Sequence, residues 1–194
     1  MPETKDRQLL EGIRKKDQQA FRKLVEHYQT MVINTANGFT HNLQDAEDIA
    51  QEVFMEVYRS AGRFREESSL STWIYRITVN KALNHVRDHR WKKYLSGMAA
   101  VFRTAEGTTV DHSPLSDHKT DQALESEETK RLIAKALDKL PDSQRIAFVL
   151  HKYEDLSYKD IAGVMGTSLS SVESLIHRAR VNLQTRLLKH YKDP

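Results

Sequence analysis

The chain has no cysteine, which excludes a disulfide framework, a thiol nucleophile and a thiolate metal site. Glycine and proline are scarce, 7 and 4 in 194 residues, too few for a collagen-like, loop-rich or disordered chain. No stretch approaches the roughly 18 consecutive apolar residues of a membrane span, and the opening MPETKDRQLL lacks a secretory apolar run. These absences predict a cytoplasmic protein with no direct membrane insertion. Walker, GxGxxG and GxSxG motifs are also missing, and no Asp or Glu stands in a recognisable catalytic setting, so the expectation is a non-enzyme without cofactor. What is present is 39% hydrophobic residues, enough for modest cores and best suited to two compact units.

The net charge of +3 says little, but its distribution is blocked. Residues 45–58 carry five acids and no base, whereas 59–93 carry nine bases against three acids, a patch suited to phosphate. Residues 94–128 hold two bases and seven acids, and 129–194 hold twelve bases and seven acids. Two basic units with an acidic connector is the organisation this implies.

Hydrophobic periodicity is helical nearly throughout. Phe21, Leu24, Val25 and Tyr28 make one stripe, Ile49, Val53, Phe54 and Val57 a second, and Trp73, Ile74, Ile77 and Leu83 a third. Later, Leu132, Ile133, Ala136, Leu137 and Leu140 form a stripe that stops at Pro141, predicting a new helix from Asp142 to about His151. Between the stripes the chain is rich in Gly, Ser, Thr and Asp, with no sustained apolar period. The expectation is all-α: two small helical domains, 1–93 and 127–194, joined by a flexible acidic linker, 94–126, the second domain being a helix-turn-helix.

That last assignment rests on Ala162, Gly166, Val172 and Leu175, spaced four, six and three apart. The small Ala permits close helix approach, Gly supplies a positive-φ turn, and Val and Leu lock the helices together. Ser157 is the expected N-cap of the first helix and Ser168 or Ser170 of the second. Ser171, Glu173, Ser174, His177, Arg178 and Arg180 are then free to face a major groove.

The motifs DAEDIAQEVF, TWIYRITVN, LPDSQRIAFVLHKYEDLSYKDIAGVMG and SVESLIHRAR, in that order, closely resemble the extracytoplasmic-function class of bacterial RNA polymerase sigma factors. The resemblance implies a promoter-specificity subunit with core RNA polymerase, promoter DNA and an anti-sigma factor, often membrane-anchored, as partners. It points to Asp45, Asp48, Gln51, Glu52 and Phe54 as the polymerase-docking face. It makes Phe64 to Ser71 a loop that captures a flipped base, with Phe64, Arg65, Ser68, Ser69 and Asn80 forming the pocket and Arg76, Lys81, Arg87 and Arg90 holding phosphates. It also gives the connector acids Asp111, Asp117, Asp121 and Glu125 a path along RNA-binding polymerase surfaces. Glu173 and Leu175 stand where some better-known members carry Arg, which assigns Glu173 to base readout and Leu175 to packing.

His85 and His89, four apart, could ligate a metal, but no Glu follows His85, and the neighbouring Arg87 and Arg90 favour a nucleic-acid surface. The competing reading is a helix-turn-helix regulator that binds duplex DNA without polymerase.

Overall fold

The structure is a computed structural model that describes residues 2–103 and 121–192. Eight α-helices, α1 (Pro2–Arg14), α2 (Gln18–Thr40), α3 (Leu43–Ser60), α4 (Leu70–Arg103), α5 (Asp121–Asp138), α6 (Asp142–Lys152), α7 (Tyr158–Met165) and α8 (Leu169–Lys192), account for almost all of it, and a 3-10 turn, Ala61–Arg63, follows α3. Among the described residues there is no strand. Helical backbone enters the stretch expected to be linker from both sides, α4 running past residue 93 to Arg103 and α5 starting at Asp121. Met98, Ala99 and Ala100 are good helix formers, and α4 continues through Gly97 to Arg103. Asp111 and Asp117 lie outside the described residues, as do the side chains of Asp121 and Glu125.

The expected stripes are the core of the first half. Leu24, Ile49, Val53, Val57 and Ile74 are fully or almost fully buried where α2, α3 and α4 meet, and α1 adds Leu10 and Ile13. Asp17 caps α2 by accepting from Gln19 N, and Asn42 caps α3 by accepting from Gln44 N and Asp45 N. In the second half Leu137, Leu140, Ala179 and Leu183 form a separate small cluster between α5 and α8.

The two halves pack on each other, which the sequence pattern did not indicate. Val149, Leu150, Ile161 and Val172 belong to the same continuous core as α2, α3 and α4. Gly38 on α2 allows the approach, because a Cβ there would stand 2.7 Å from Val149 Cγ1. Arg145, 1% exposed, extends from α6 to within 2.7 Å of Asp138 Oδ1, donates to the Phe39 carbonyl of α2, and lies 5.4 Å from the centre of the Phe39 ring. Tyr75 on α4 donates to Glu154 Oε2 at 3.2 Å.

Burial pushes Glu154 up to about 7 from an ordinary 4.5. A carboxyl raised on folding holds its proton in the packed state, so its contribution to stability is lost as pH climbs from about 4.5 to 7. Glu154→Gln therefore raises the thermal midpoint at pH 8 by roughly 2–4 °C, about 1 kcal/mol after allowing for partial solvent access. At pH 4.5 the two melting curves should draw together, and a constant gap across this range would show that Glu154 does not titrate in the contact.

Candidate polymerase and nucleic-acid interfaces

Helix α3 separates its residues by character. Ala46, Ile49, Ala50, Val53, Phe54 and Val57 face inward, and the outer face carries Glu47, Asp48, Gln51 and Glu52 around Met55, which is 52% exposed. Asp48, Gln51 and Glu52 thus occupy the expected docking face. Phe54 does not: it is 7% exposed and belongs to the core, continuing the Ala46–Ala50 row by one turn. Met55 is exposed instead, as are Leu43 and Tyr58 on the same helix, and its position off the Ile49, Val53, Val57 stripe was the available signal. Glu52 is tied to α4 through Lys81 Nζ at 3.0 Å, and Asp45 lies 3.6 Å from His85 Nε2.

The chain from Phe64 to Ser69 is non-helical, and α4 begins at Leu70, one residue before the expected end of the loop. Arg14 anchors this loop from α1, with Nη2 donating to Phe64 O at 2.7 Å, Nε to Ala61 O at 3.2 Å and Nη1 to Glu66 Oε1 at 3.1 Å. Phe64 is a second correction. Its ring is 9% exposed and stacks on Trp73 at 4.6 Å, so it supports the loop from beneath. Ser69 caps α4 by accepting from Thr72 N at 3.1 Å. Arg65 and Asn80 are exposed and Ser68 is half-buried.

The three arginines of α4 expected at phosphates differ in their partners. Arg87 is exposed and donates to Asn84 at 2.7 Å. Arg76 instead donates to Gly163 O at 2.6 Å and Val164 O at 3.2 Å on α7, and Arg90 donates to Asp138 O at 2.5 Å at the end of α5. Asn80 and Arg76 share one groove of about 330 Å³ with Ile146, Val164, Met165 and Gly166 of the second half.

The helix-turn-helix has the expected local chemistry. Ser157 caps α7 by accepting from Asp160 N, Gly166 ends that helix at φ +63°, and Thr167 N returns to Ala162 O at 3.1 Å. Ser168, not Ser170, caps α8, accepting from Ser171 N at 3.2 Å. Val172 and Ile176 are buried, and Leu175 packs against the core, in keeping with its assignment to packing. Glu173, Ser174, His177 and Arg178 line one shallow depression of about 320 Å³. Arg180 is exposed on the same helix, and Ser171 is half-buried beside the Ser168 cap. Among the described residues Glu173 has no ion-pair partner, so its carboxylate is free to accept from outside.

The family model for Sigma-70 region 2 matches residues 24–92, and that for Sigma-70, region 4 matches residues 130–183. The chain is 35% identical over 180 residues to the RNA polymerase sigma-H factor of Pseudomonas aeruginosa, covering 93% of this chain and 92% of the relative. It is 31% identical over 182 residues to the ECF RNA polymerase sigma-E factor of Escherichia coli K12, with 94% of each covered. Its fold is similar to CnrH, solved with the cytosolic domain of CnrY, at a TM-score of 0.63 and 24% identity over 94% of this chain and 97% of that one. It is also similar to the sigma factor RpoE solved with the anti-sigma factor NepR from Bartonella quintana, at 0.51 and 22%, covering 86% and 96%.

Proposed function

The chain belongs to the extracytoplasmic-function sigma factors of the sigma-70 family, which confer promoter recognition and strand opening on core RNA polymerase, and on that footing we propose how its surfaces divide the work. The outer face of α3, with Asp48, Gln51, Glu52 and Met55, docks on the polymerase: the acids steer a basic helical partner and Met55 supplies apolar contact area. Arg65, Ser68 and Asn80 meet the unpaired strand, and Arg76, Lys81, Arg87 and Arg90 the phosphates. Ser171, Glu173, Ser174, His177, Arg178 and Arg180 face the upstream promoter element. The protein works without chemistry of its own, in the cytoplasm, where an anti-sigma factor covers the same surfaces; no described helix is long and apolar enough to cross a membrane.

The observation that carries this reading is the shallow depression on α8 where Glu173, Ser174, His177 and Arg178 converge on a helix whose other face is locked by Val172 and Ile176. Run-off transcription from promoter DNA with added core polymerase tests it. Sequence-specific binding of duplex DNA with no transcript under core enzyme would favour a polymerase-independent regulator.

The two kinds of contact on α8 separate experimentally. A carboxylate cannot bind phosphate but can accept from a cytosine amino group, so Glu173→Gln shifts base preference at one position of the upstream element and leaves the salt slope alone. Arg178→Ala weakens every promoter alike and lowers the log–log salt slope by roughly 0.9. Selection from a randomised promoter library decides the first, and identical base preferences would remove Glu173 from the readout surface.

A further inference from the structure

We propose that Arg14, at the end of α1, is the positioning residue of the loop that meets the unpaired strand: its guanidinium fixes the loop in reading shape before DNA arrives, and the choice of captured base depends on it. The inference rests on the assignment of Arg65 and Ser68 to the unpaired strand given above.

One guanidinium reaches three points of this segment. Its Nε donates to Ala61 O at 3.2 Å, Nη2 to Phe64 O at 2.7 Å and Nη1 to Glu66 Oε1 at 3.1 Å, while Arg7 Nε stands 3.4 Å from Glu66 Oε2. Arg65 is thereby bracketed, both of its neighbours being held by the same side chain. Glu66 has φ +58°, a left-handed conformation that a residue with a Cβ adopts only at a cost, so a loop released from the clamp relaxes to other shapes. The flanks are fixed by other means. Phe64 stacks on Trp73 and Ser69 caps α4, which leaves Arg65 to Ser68 as the part whose shape Arg14 decides.

The clamp is carried on a rigid arm. Leu10 and Ile13 are buried, Asp6 accepts from Tyr28 Oη at 3.0 Å, and Gly12 lets α1 lie so close to α2 that a Cβ there would stand 2.4 Å from Ala20 Cβ. Helix α1 precedes the residues matched to region 2, so the clamp reaches the loop from outside that unit. Contacts to phosphate tolerate a mobile loop, whereas reading one base needs a pocket of fixed shape. Loss of the clamp therefore removes discrimination more than affinity.

Two measurements on Arg14→Ala test this. Brief trypsin digestion of the full chain, read by mass spectrometry, reports how often the segment opens, because cleavage between Arg63 and Phe64 requires Phe64 to leave its seat and tracks the open population. That cut should be at least about tenfold faster than in wild type, with cuts elsewhere unchanged. The second measurement uses protein assembled with core polymerase and fluorescent single-stranded fragments of a promoter's downstream element, carrying each of the four bases at each position. Wild type should prefer one base at one position by at least about tenfold, and Arg14→Ala by less than about twofold, with binding of the other fragments unchanged. Arg14→Lys keeps a charge beside Glu66 but not the fork, and should not restore the preference. Glu66→Gln, made from the loop side with α1 untouched, should fall between wild type and Arg14→Ala in both measurements.

Cleavage of Arg14→Ala and Glu66→Gln at the wild-type rate would overturn the clamp. Faster cleavage with an unchanged base preference, or full rescue by lysine, would overturn its positioning role. A wild-type protein that prefers no base anywhere in the element would sink the reading of the loop itself, while the trypsin result still reports whether Arg14 holds it, so the two failures are distinct.

Discussion

Charge reversal on α3, Asp48→Lys with Glu52→Lys, abolishes association with core polymerase and leaves the fold intact. Both side chains are exposed on the face opposite Ile49, Val53 and Val57, so neither contributes to the core, and surface changes of this kind usually cost under about 0.5 kcal/mol. One native contact is lost, the 3.0 Å pair of Glu52 with Lys81, and an exposed pair is worth no more than about 1 kcal/mol. At the interface the effect is much larger. Two acids that meet basic partners become two like charges, and each such juxtaposition costs several kcal/mol, so a loss of at least 100-fold in affinity is expected. Fluorescence anisotropy of labelled protein titrated with core enzyme measures it, with thermal melting as the control for folding. Unchanged affinity would remove α3 from the docking surface.

The largest expected effect on stability falls on Asp138. Its carboxylate stands 2.7 Å from Arg145, 3.5 Å from Arg90 and 3.8 Å from His41, and of these only Arg145 is almost completely withdrawn from water. Asp138→Ala leaves that guanidinium buried without its nearest counter-charge, and breaking a buried pair from one side costs about 3–5 kcal/mol. Because Asp138 itself is 40% exposed, the lower end of that range applies, a fall of roughly 6–12 °C in the thermal midpoint. Asp142 supplies some residual attraction to Arg145. Arg145→Leu removes the charge together with its need for a partner, so the double variant should melt well above Asp138→Ala alone. Purely additive losses in this cycle would show that the pair is not coupled.

Much of this molecule could be read before its structure. Ala162, Gly166, Val172 and Leu175 defined the helix-turn-helix because each carries a local requirement, a small contact, a positive φ or a buried methyl, that few other residues meet. The acid-rich face of α3 was legible for a similar reason, being periodic along one helix. Phe54 and Phe64 were misplaced because an aromatic ring beside a functional segment suits both a binding surface and a core. Phe54 continues a row of buried residues whose other members are alanines, Ala46 and Ala50, which are too small to mark a stripe clearly. The contact between the halves was not legible at all. Arg145 stands between Gln144 and Ile146 like any surface base on an amphipathic helix, and the carbonyl it serves belongs to a residue 106 positions earlier.

Helix α8 runs unbroken for 24 residues from Leu169 to Lys192, with neither Gly nor Pro. Its leading turns carry Glu173 and Arg178, while Leu183, and beyond it Leu187, are gripped by Leu137, Leu140 and Phe148. From Glu173 to Leu183 is about 15 Å at 1.5 Å per residue, and over that span the rod is a lever arm. Repacking the grip tilts that end as a whole, so the aim of Glu173 and Arg178, proposed above to face the promoter, is set by hydrocarbon about three turns away. A methylene gained or lost at Leu140 or Leu183 should therefore shift Glu173 and Arg178 together.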